Sequence, residues 1–472
     1  MLGLASVVGR EFSGRVLERL HADATLLARC LEQLKALELI QQVRLLPDAG
    51  YVFKQAATQE VAYETLLLQR RRALHLKAAE TMEELYGDRL SEFSEALARH
   101  YRHGESWAKA ARYYLAATQS AKAHYAYQDA LGLCRRALDA AEKEEGLAAE
   151  RGDVLVLLGD LRSLLDELEP ANARYEEALA LTDDAERRLW IENKIHRPQS
   201  TKRDGAKLVY YEHGTGEETL IFVNPIVYGL AVFQPLLERL CQEFRVITVD
   251  LRGTGASAPL PKPYFTDAHM EDVRAIIESA GGKPLTCVGI SRGSNLLVKL
   301  ALAHPQLVNR LVLIGAPIGG ASGRESSFPK FDLGDEFLEA LEAKDVLRAL
   351  SIFIPTVVSE PGTEALADLL LNSLISLPRK SIEGFFASDP DMDISSVMQQ
   401  VAAPTLVMHG TEDRRVPLEC ASIIAESIPG AVLHQFPECG HLPWITAPGE
   451  FCEVLRHFMR TGEVPPQPGA GK

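Results

Sequence analysis

Gly289-Ile290-Ser291-Arg292-Gly293 lies between a short β-prone run, Pro284-Leu285-Thr286-Cys287-Val288, and a segment in which Leu296, Leu297, Leu300 and Ala301 recur at helical spacing. That order reads as strand, sharp turn, helix. A serine at the apex of such a turn has its hydroxyl pushed out above a sheet, where a base can reach it. The pentapeptide arises by chance in many chains, so its weight comes from two residues farther along the chain. Asp413 stands in Gly410-Thr411-Glu412-Asp413, just after the β-prone run 405–409. His441 stands in Cys439-Gly440-His441-Leu442-Pro443-Trp444, just after a run ending near Phe436. Both are loops at the carboxyl ends of strands, where open α/β sheets place their ligands.

Three side-chain types in these positions predict nucleophilic catalysis. A serine hydroxyl is a weak nucleophile until a base removes its proton as attack begins. A histidine, with a reference pKa near ~6.5, does this at neutral pH and then protonates the leaving group. A carboxylate fixes the imidazole tautomer and stabilises the imidazolium. Ser291, His441 and Asp413 are therefore the predicted catalytic residues, with Glu412 a neighbouring alternative to Asp413. His269 and His304 have no partner in this pattern and read as surface or helix-end residues.

Working outward, short β-prone runs occupy 207–211, 219–223, 245–249, 285–290, 310–314, 405–409 and 431–436, and helical segments separate most of them. Such alternation predicts a mainly parallel sheet covered on both faces. Between Gly319 and about Ala403 no strand is legible, and an insertion of that size, about 320–400, reads as a helical cap. The polar stretch 197–205, with Pro198, Ser200 and Gly205, reads as a linker. Residues 463–472, with Pro465-Pro466-Gln467-Pro468-Gly469, read as a disordered tail.

From about 206 to 462 the chain resembles the α/β-hydrolase superfamily, notably its cap-bearing esterases, lactonases and carbon–carbon hydrolases. The chain order Ser, Asp, His is that of this fold. The glycine-rich turn Asp250-Leu251-Arg252-Gly253-Thr254-Gly255-Ala256-Ser257 also matches, and there Asp250, Arg252 and Ser257 are expected to fix the turn. The resemblance implies an oxyanion hole whose first donor is the backbone N–H of Arg292. The second usually follows a His-Gly pair at the end of the third strand, but here that strand ends in Asn224-Pro225-Ile226. Proline has no N–H, so the expected donor is Ile226, and the Asn224 amide is a further candidate. Losing one such donor costs ~10²–10³ in rate. The Arg292 guanidinium either favours substrates carrying a carboxylate or pairs with a carboxylate of the protein. The resemblance implies no cofactor and no metal, and a small ester, thioester or lactone as substrate.

Residues 1 to about 195 read as helix almost throughout. Trp107, Ala110, Ala111, Tyr114 and Ala117 mark one face, followed by Ala130, Cys134, Ala137 and Leu138; farther on, Leu155, Leu158, Leu161 and Leu165 precede Tyr175, Ala178 and Leu179. Matching Ala137-Leu138 to Ala178-Leu179 gives an offset of about 41, longer than the ~34 of a tetratricopeptide repeat. Residues 101–196 are therefore expected to be irregular tetratricopeptide-like repeats, with a plain helical bundle as the alternative. In residues 1–100, helices over 2–20 and 24–39, a hairpin over 41–53 centred on Pro47-Asp48-Ala49-Gly50, and helix from about Gln59 give a winged-helix pattern.

Within this half, Ala5-Ser6-Val7-Val8-Gly9-Arg10-Glu11-Phe12, Tyr51-Val52-Phe53-Lys54-Gln55-Ala56, Gln59-Glu60-Val61-Ala62-Tyr63-Glu64, Arg70-Arg71-Arg72 and His75 resemble the end of STAND-type signalling ATPases. Such ATPases are often coupled to class III adenylate cyclase domains. The resemblance spans about 1–185. The chain contains no G-x-x-x-x-G-K-[ST], so this half is expected to bind no ATP. It is expected to bind a protein partner, and Met1 to fall inside the family pattern. The overall expectation is a multidomain protein: an all-α N-terminal half followed by an α/β-hydrolase fold with a helical cap.

Composition narrows the partners. Apolar content of 46% with 24% charged residues describes a soluble globular protein. A net charge of −15 argues against nucleic-acid or anionic-membrane binding, and Arg70-Arg71-Arg72 reads as a solvated helix face. Seven scattered cysteines without C-x-x-C fit reduced thiols in a cytoplasm. The opening residues lack the basic flank of a signal peptide, and no run approaches the ~20 apolar residues of a membrane span.

Overall fold

The computed structural model describes residues 1–21, 23–44, 49–165, 167–224, 233–259, 266–319, 333–360, 363–375, 377, 379–386 and 392–465. The chain divides into two compact units, one of residues 1–161 and 180–182, the other of 162–179 and 183–472.

The first unit is mostly helical. It opens with α1 (Leu2–Val8), β1 (Glu11–Ser13), α2 (Gly14–Leu20), α3 (Ala24–Ala36), β2 (Ile40–Arg44) and β3 (Gly50–Phe53). The strands form an antiparallel sheet in the order β1-β3-β2. Residues 2–20, expected as one helix, are therefore broken. Gly9, at φ +151, ends α1, and Phe12 turns inward to pair with Tyr51 and stack on its ring at 5.6 Å. An all-α half is thus corrected to helices around a small sheet. Four of the five residues between β2 and β3, including Pro47-Asp48, lie outside the described residues. Then come α4 (Ala56–Glu64), α5 (Leu68–Tyr86), α6 (Ser94–His103), α7 (Trp107–Ala123), α8 (Tyr127–Ala141) and α9 (Ala148–Leu164). Buried alanines at 110, 111 and 117 on α7 and at 130, 137 and 140 on α8 let these two helices approach closely.

The second unit continues with α10 (Leu168–Leu179) and α11 (Ala185–Glu192). Asn172 and His196 exchange two hydrogen bonds of 2.8 Å, and Leu168 packs on Val209 and Tyr211. Its sheet comprises β4 (Arg197–Arg203), β5 (Ala206–His213), β6 (Thr219–Val223), β7 (Arg245–Asp250), β8 (Leu285–Ile290), β9 (Val308–Ile314), β10 (Thr405–Gly410) and β11 (Val432–Phe436). Among the described residues the order is β11-β10-β9-β8-β6-β7-β5-β4. Strands β6 to β11 run parallel; β4 and β5 are antiparallel additions.

The stretch 197–205, expected as a linker, is thus a strand and its turn. It pairs in register with β5 from Arg197–Glu212 to Arg203–Ala206. An edge strand tolerates Pro198 and gains from charged side chains that discourage further pairing, which is why its composition mimics a linker.

Between the strands lie α12 (Gln234–Leu240), α13 (Thr266–Ser279) and α14 (Arg292–Ala303). Met270, Val273, Ile276 and Ile277 on α13, and Leu296, Leu297 and Leu300 on α14, are buried against Ile221, Ile247, Cys287 and Leu311 of the sheet. Each leucine truncated to alanine in such a core costs about 2–5 kcal/mol. Between β9 and β10 come α15 (Gly334–Glu342), α16 (Val346–Val357), α17 (Glu364–Ile375) and α18 (Arg379–Phe386); α19 (Leu418–Ser427), α20 (Pro443–Thr446) and α21 (Pro448–Thr461) complete the unit. The strand order reverses about β6: β7 lies on one side and the next strand, β8, on the other. Such a switch point opens a crevice at the strands' carboxyl ends.

Candidate active site

Ser291 follows β8 at that switch point, with φ 51 and ψ −124. A non-glycine residue in such a conformation stores about 1–3 kcal/mol. The turn exists because its two glycines admit close packing. A Cβ on Gly289 would lie 2.6 Å from Ser294 Cα, and one on Gly293 2.1 Å from the Val223 carbonyl oxygen. Ser294 Oγ braces the turn by donating to the Gly289 carbonyl at 2.8 Å. The Ser291 N–H donates to the Ile314 carbonyl at 2.7 Å, tying the turn to the end of β9.

Asp413 and His441, on the loops after β10 and β11, are both buried and directly joined: Nδ1 of the imidazole lies 2.7 Å from Oδ2 of the carboxylate. Asp413 Oδ1 accepts from the backbone N–H groups of Arg415 at 2.7 Å and Val416 at 2.9 Å. Burial would raise this carboxyl. The attraction of His441, its hydrogen bond, His409 and the Val416 amide outweigh burial and hold it below the usual carboxylate range. With Asp413 ionised and bonded at Nδ1, the imidazole's Nε2 is left as the basic nitrogen.

The ring and the serine turn meet at the Ile314–Gly315 step. Gly315 has φ +52, and a Cβ there would lie 2.8 Å from His441 Cε1 and 3.4 Å from Asp413 Oδ2. Its neighbour Ile314 is the residue whose carbonyl holds Ser291. Among the described residues no hydrogen bond joins the Ser291 hydroxyl to the imidazole, a separation that binding of a substrate characteristically tightens.

Of the expected oxyanion donors, Arg292 opens α14 and is 5% exposed, and Asn224 is buried at the end of β6. The Cβ position of Gly293 lies 3.4 Å from the Asn224 carbonyl carbon, so the start of α14 and the end of β6 adjoin. Ile226 lies outside the described residues. Asp250 and Ser257 hold the turn after β7: Ser257 Oγ donates to the Asp250 carbonyl at 2.6 Å, and Asp250 Oδ2 accepts the Ala256 N–H at 2.8 Å. Arg252 is paired with buried Asp272 through both carboxylate oxygens.

Three neighbours escaped the sequence reading. His409, fully buried at the end of β10, places Nε2 2.9 Å from the Val416 carbonyl and 3.3 Å from Asp413 Oδ2, so the carboxylate sits between two imidazoles. Burial, opposed by Asp413, pushes its pKa down. Asn295, one turn into α14, donates through Nδ2 to the Pro317 carbonyl at 2.9 Å and the Met392 carbonyl at 2.8 Å, clamping the two ends of the segment inserted after β9. Gly315 was indistinguishable in sequence from a loop glycine. Among the described residues no cluster of three His, Cys, Asp or Glu side chains is arranged to hold a metal ion.

A profile of the Alpha/beta hydrolase family matches residues 213–454. The chain is 29% identical over 247 residues to a 2-hydroxy-6-oxononadienedioate/2-hydroxy-6-oxononatrienedioate hydrolase of Pseudomonas putida, covering 50% of this chain and 85% of that protein. It is 29% identical over 234 residues to a pyrrolizixenacetamide deacetylase of Xenorhabdus hominickii, covering 49% and 86%. An esterase from Exiguobacterium antarcticum superposes with a TM-score of 0.50 at 24% identity, covering 55% of this chain and 97% of that one, which speaks to the fold.

Proposed function

The chain belongs to the alpha/beta hydrolase family, and from that premise we propose that it is a serine hydrolase cleaving a small ester, thioester or lactone through an acyl-enzyme. The single observation carrying this is the buried Asp413–His441 pair abutting the step that also anchors the Ser291 turn. In this reading the Ser291 oxygen attacks the substrate carbonyl while His441 Nε2 takes its proton. The tetrahedral oxyanion is met by the Arg292 N–H, with the Asn224 amide and the backbone N–H of Ile226 as the further expected donors. His441 then protonates the leaving alcohol, thiol or ring oxygen. Water, deprotonated by the same nitrogen, releases the acid and restores the serine. Asp413, already ionised, stabilises each imidazolium.

The relatives' names include an oxo-dioate hydrolase and a deacetylase, so the ester class is our narrower reading. For residues 1–196 we infer a partner-binding role, with a winged-helix-like part over 1–100 and a tetratricopeptide-like part over 101–196. The small antiparallel sheet between helices and the alanine-rich α7–α8 pair support this. A second reading, a ligand-binding regulatory domain with feeble turnover, is favoured by Asn224-Pro225 standing where the family resemblance leads one to expect a His-Gly pair.

Labelling by a fluorophosphonate probe separates the two. Covalent labelling of the wild type at neutral pH, abolished in Ser291→Ala, supports the hydrolase. A folded wild type that does not label supports the receptor.

A further inference from the structure

Glu360 follows α16 in the segment inserted between β9 and β10, far in sequence from either catalytic loop. Its carboxylate nevertheless reaches the loop that bears His441. Oε1 accepts from the Gly440 N–H at 2.6 Å and from the Thr446 hydroxyl at 2.8 Å. Oε2 accepts from the N–H of Ser359 at 3.0 Å, which fixes the side chain to its own loop. Gly440 is what admits this contact, because a Cβ there would lie 2.7 Å from Oε1. The charge acts on the same loop: after burial, Glu360 is the largest influence pushing the Cys439 thiol up to about 11.

From the opposite side the loop rests on β10. The Cβ position of Gly410 would fall 2.1 Å from the Gly440 carbonyl oxygen, the Glu412 N–H donates to the Cys439 carbonyl at 2.9 Å, and the Glu438 N–H donates to Thr411 Oγ1 at 3.0 Å. The histidine loop is therefore gripped between a fixed strand end and one inserted carboxylate. The helix leading to Glu360 also meets the acid's loop, since the Arg415 guanidinium lies 4.9 Å from the centre of the Phe353 ring.

We propose that Glu360 is a positioning residue, through which the inserted helices set the place of His441. This rests on the serine-hydrolase reading. Without the Glu360 carboxylate, the Gly440 N–H and the Thr446 hydroxyl lose their shared acceptor and the base loses one wall of its grip. Charge-assisted bonds to backbone N–H groups are strong enough to hold a loop in register, and a misplacement of about 1 Å at the reacting groups costs on the order of 10² in rate.

The test uses the full chain with Glu360→Ala and Glu360→Gln, each assayed for kcat and KM on a p-nitrophenyl ester and for hydrogen exchange over 437–446. Glu360→Ala lowers kcat about 10–100-fold with KM within about threefold. Glu360→Gln keeps an acceptor oxygen for Gly440 and Thr446 and recovers kcat to within about fivefold. Exchange over 437–446 accelerates in the alanine variant alone. Wild-type kcat in Glu360→Ala, or equal losses in both variants matched by equal losses of thermal stability, overturns the proposal. If the wild type neither labels nor turns over ester, the hydrolase reading fails, and exchange still decides the clasp: protection over 437–446 that is indifferent to residue 360 overturns it.

Discussion

Gly315→Ala tests the meeting of ring and serine turn with a single methyl group. The new Cβ is strained, because φ is +52, and an L-residue in that region costs about 1–2 kcal/mol. It also has no room: it would sit 2.8 Å from His441 Cε1 and 2.9 Å from Nδ1, where ordinary carbon contacts are about 3.5 Å or longer. The ring must retreat by roughly 0.7 Å to restore such a contact. The 2.7 Å bond to Asp413 then approaches or passes the ~3.2 Å limit of a good hydrogen bond. A shift of that size at the base predicts a loss of about 10²-fold in acylation.

Gly430→Ala is the matched control. Its φ is +72, with nothing within 4 Å of the added methyl, so it carries the backbone strain without the collision. Both variants are expected to melt lower, by about 2–4 °C per kcal/mol for a unit of this size. Only Gly315→Ala should lose labelling rate when fluorophosphonate reaction is followed by stopped-flow or quenched gel assay. Equal labelling rates in the two variants would refute the reasoning, because the ring would then not stand against the strand end that anchors Ser291.

The first unit should be acid-labile. His75 and His100 are buried, with Nδ1 atoms 2.9 Å apart, His103 stacked on His75 at 4.8 Å, Tyr63 3.1 Å from His75 Nε2, and Arg99 repelling both. Burial first, then the neighbouring histidines and Arg99, pushes His75 down to about 3 and His100 down to about 4. Unfolding frees both to bind protons below about pH 6.5, so their contribution is complete above that pH and is lost as pH falls, by about 1.4 kcal/mol per unit for each. Urea melts at pH 7.5 and 5 should differ by about 4 kcal/mol for this unit; coincident melts would contradict the burial of the pair. Thiol reagent at pH 8 should find one fast-reacting cysteine, Cys30, which is only partly buried. Burial raises Cys134 and Cys241 to about 12, and Cys420, Cys439 and Cys452 to about 11, and pushes Cys287 up as well. Two or more fast equivalents in the folded chain would overturn that assignment.

The features legible in the sequence are those whose cause is local. Strand β8, the serine turn and α14 are specified by neighbouring residues: an apolar run, two glycines that admit close packing, and leucines at helical spacing. The loops of Asp413 and His441 were legible because each follows a recognisable strand. Strand β4 was not, because an edge strand needs only backbone partners and its Pro198, Lys202 and Arg203 are those of a linker. Strand β1 was missed for a related reason: three residues show no periodicity, and only pairing with β3 makes them a strand. Glycines mark the boundary most sharply. Gly289 and Gly293 declare themselves because the serine they flank gives them a reason within one turn. Gly315 and Gly440 are equally constrained, but what each admits, an imidazole in one case and a carboxylate in the other, arrives from a distant part of the chain. No pattern within their own segments carries that information, so positions of this kind become visible only when the close approach itself is measured.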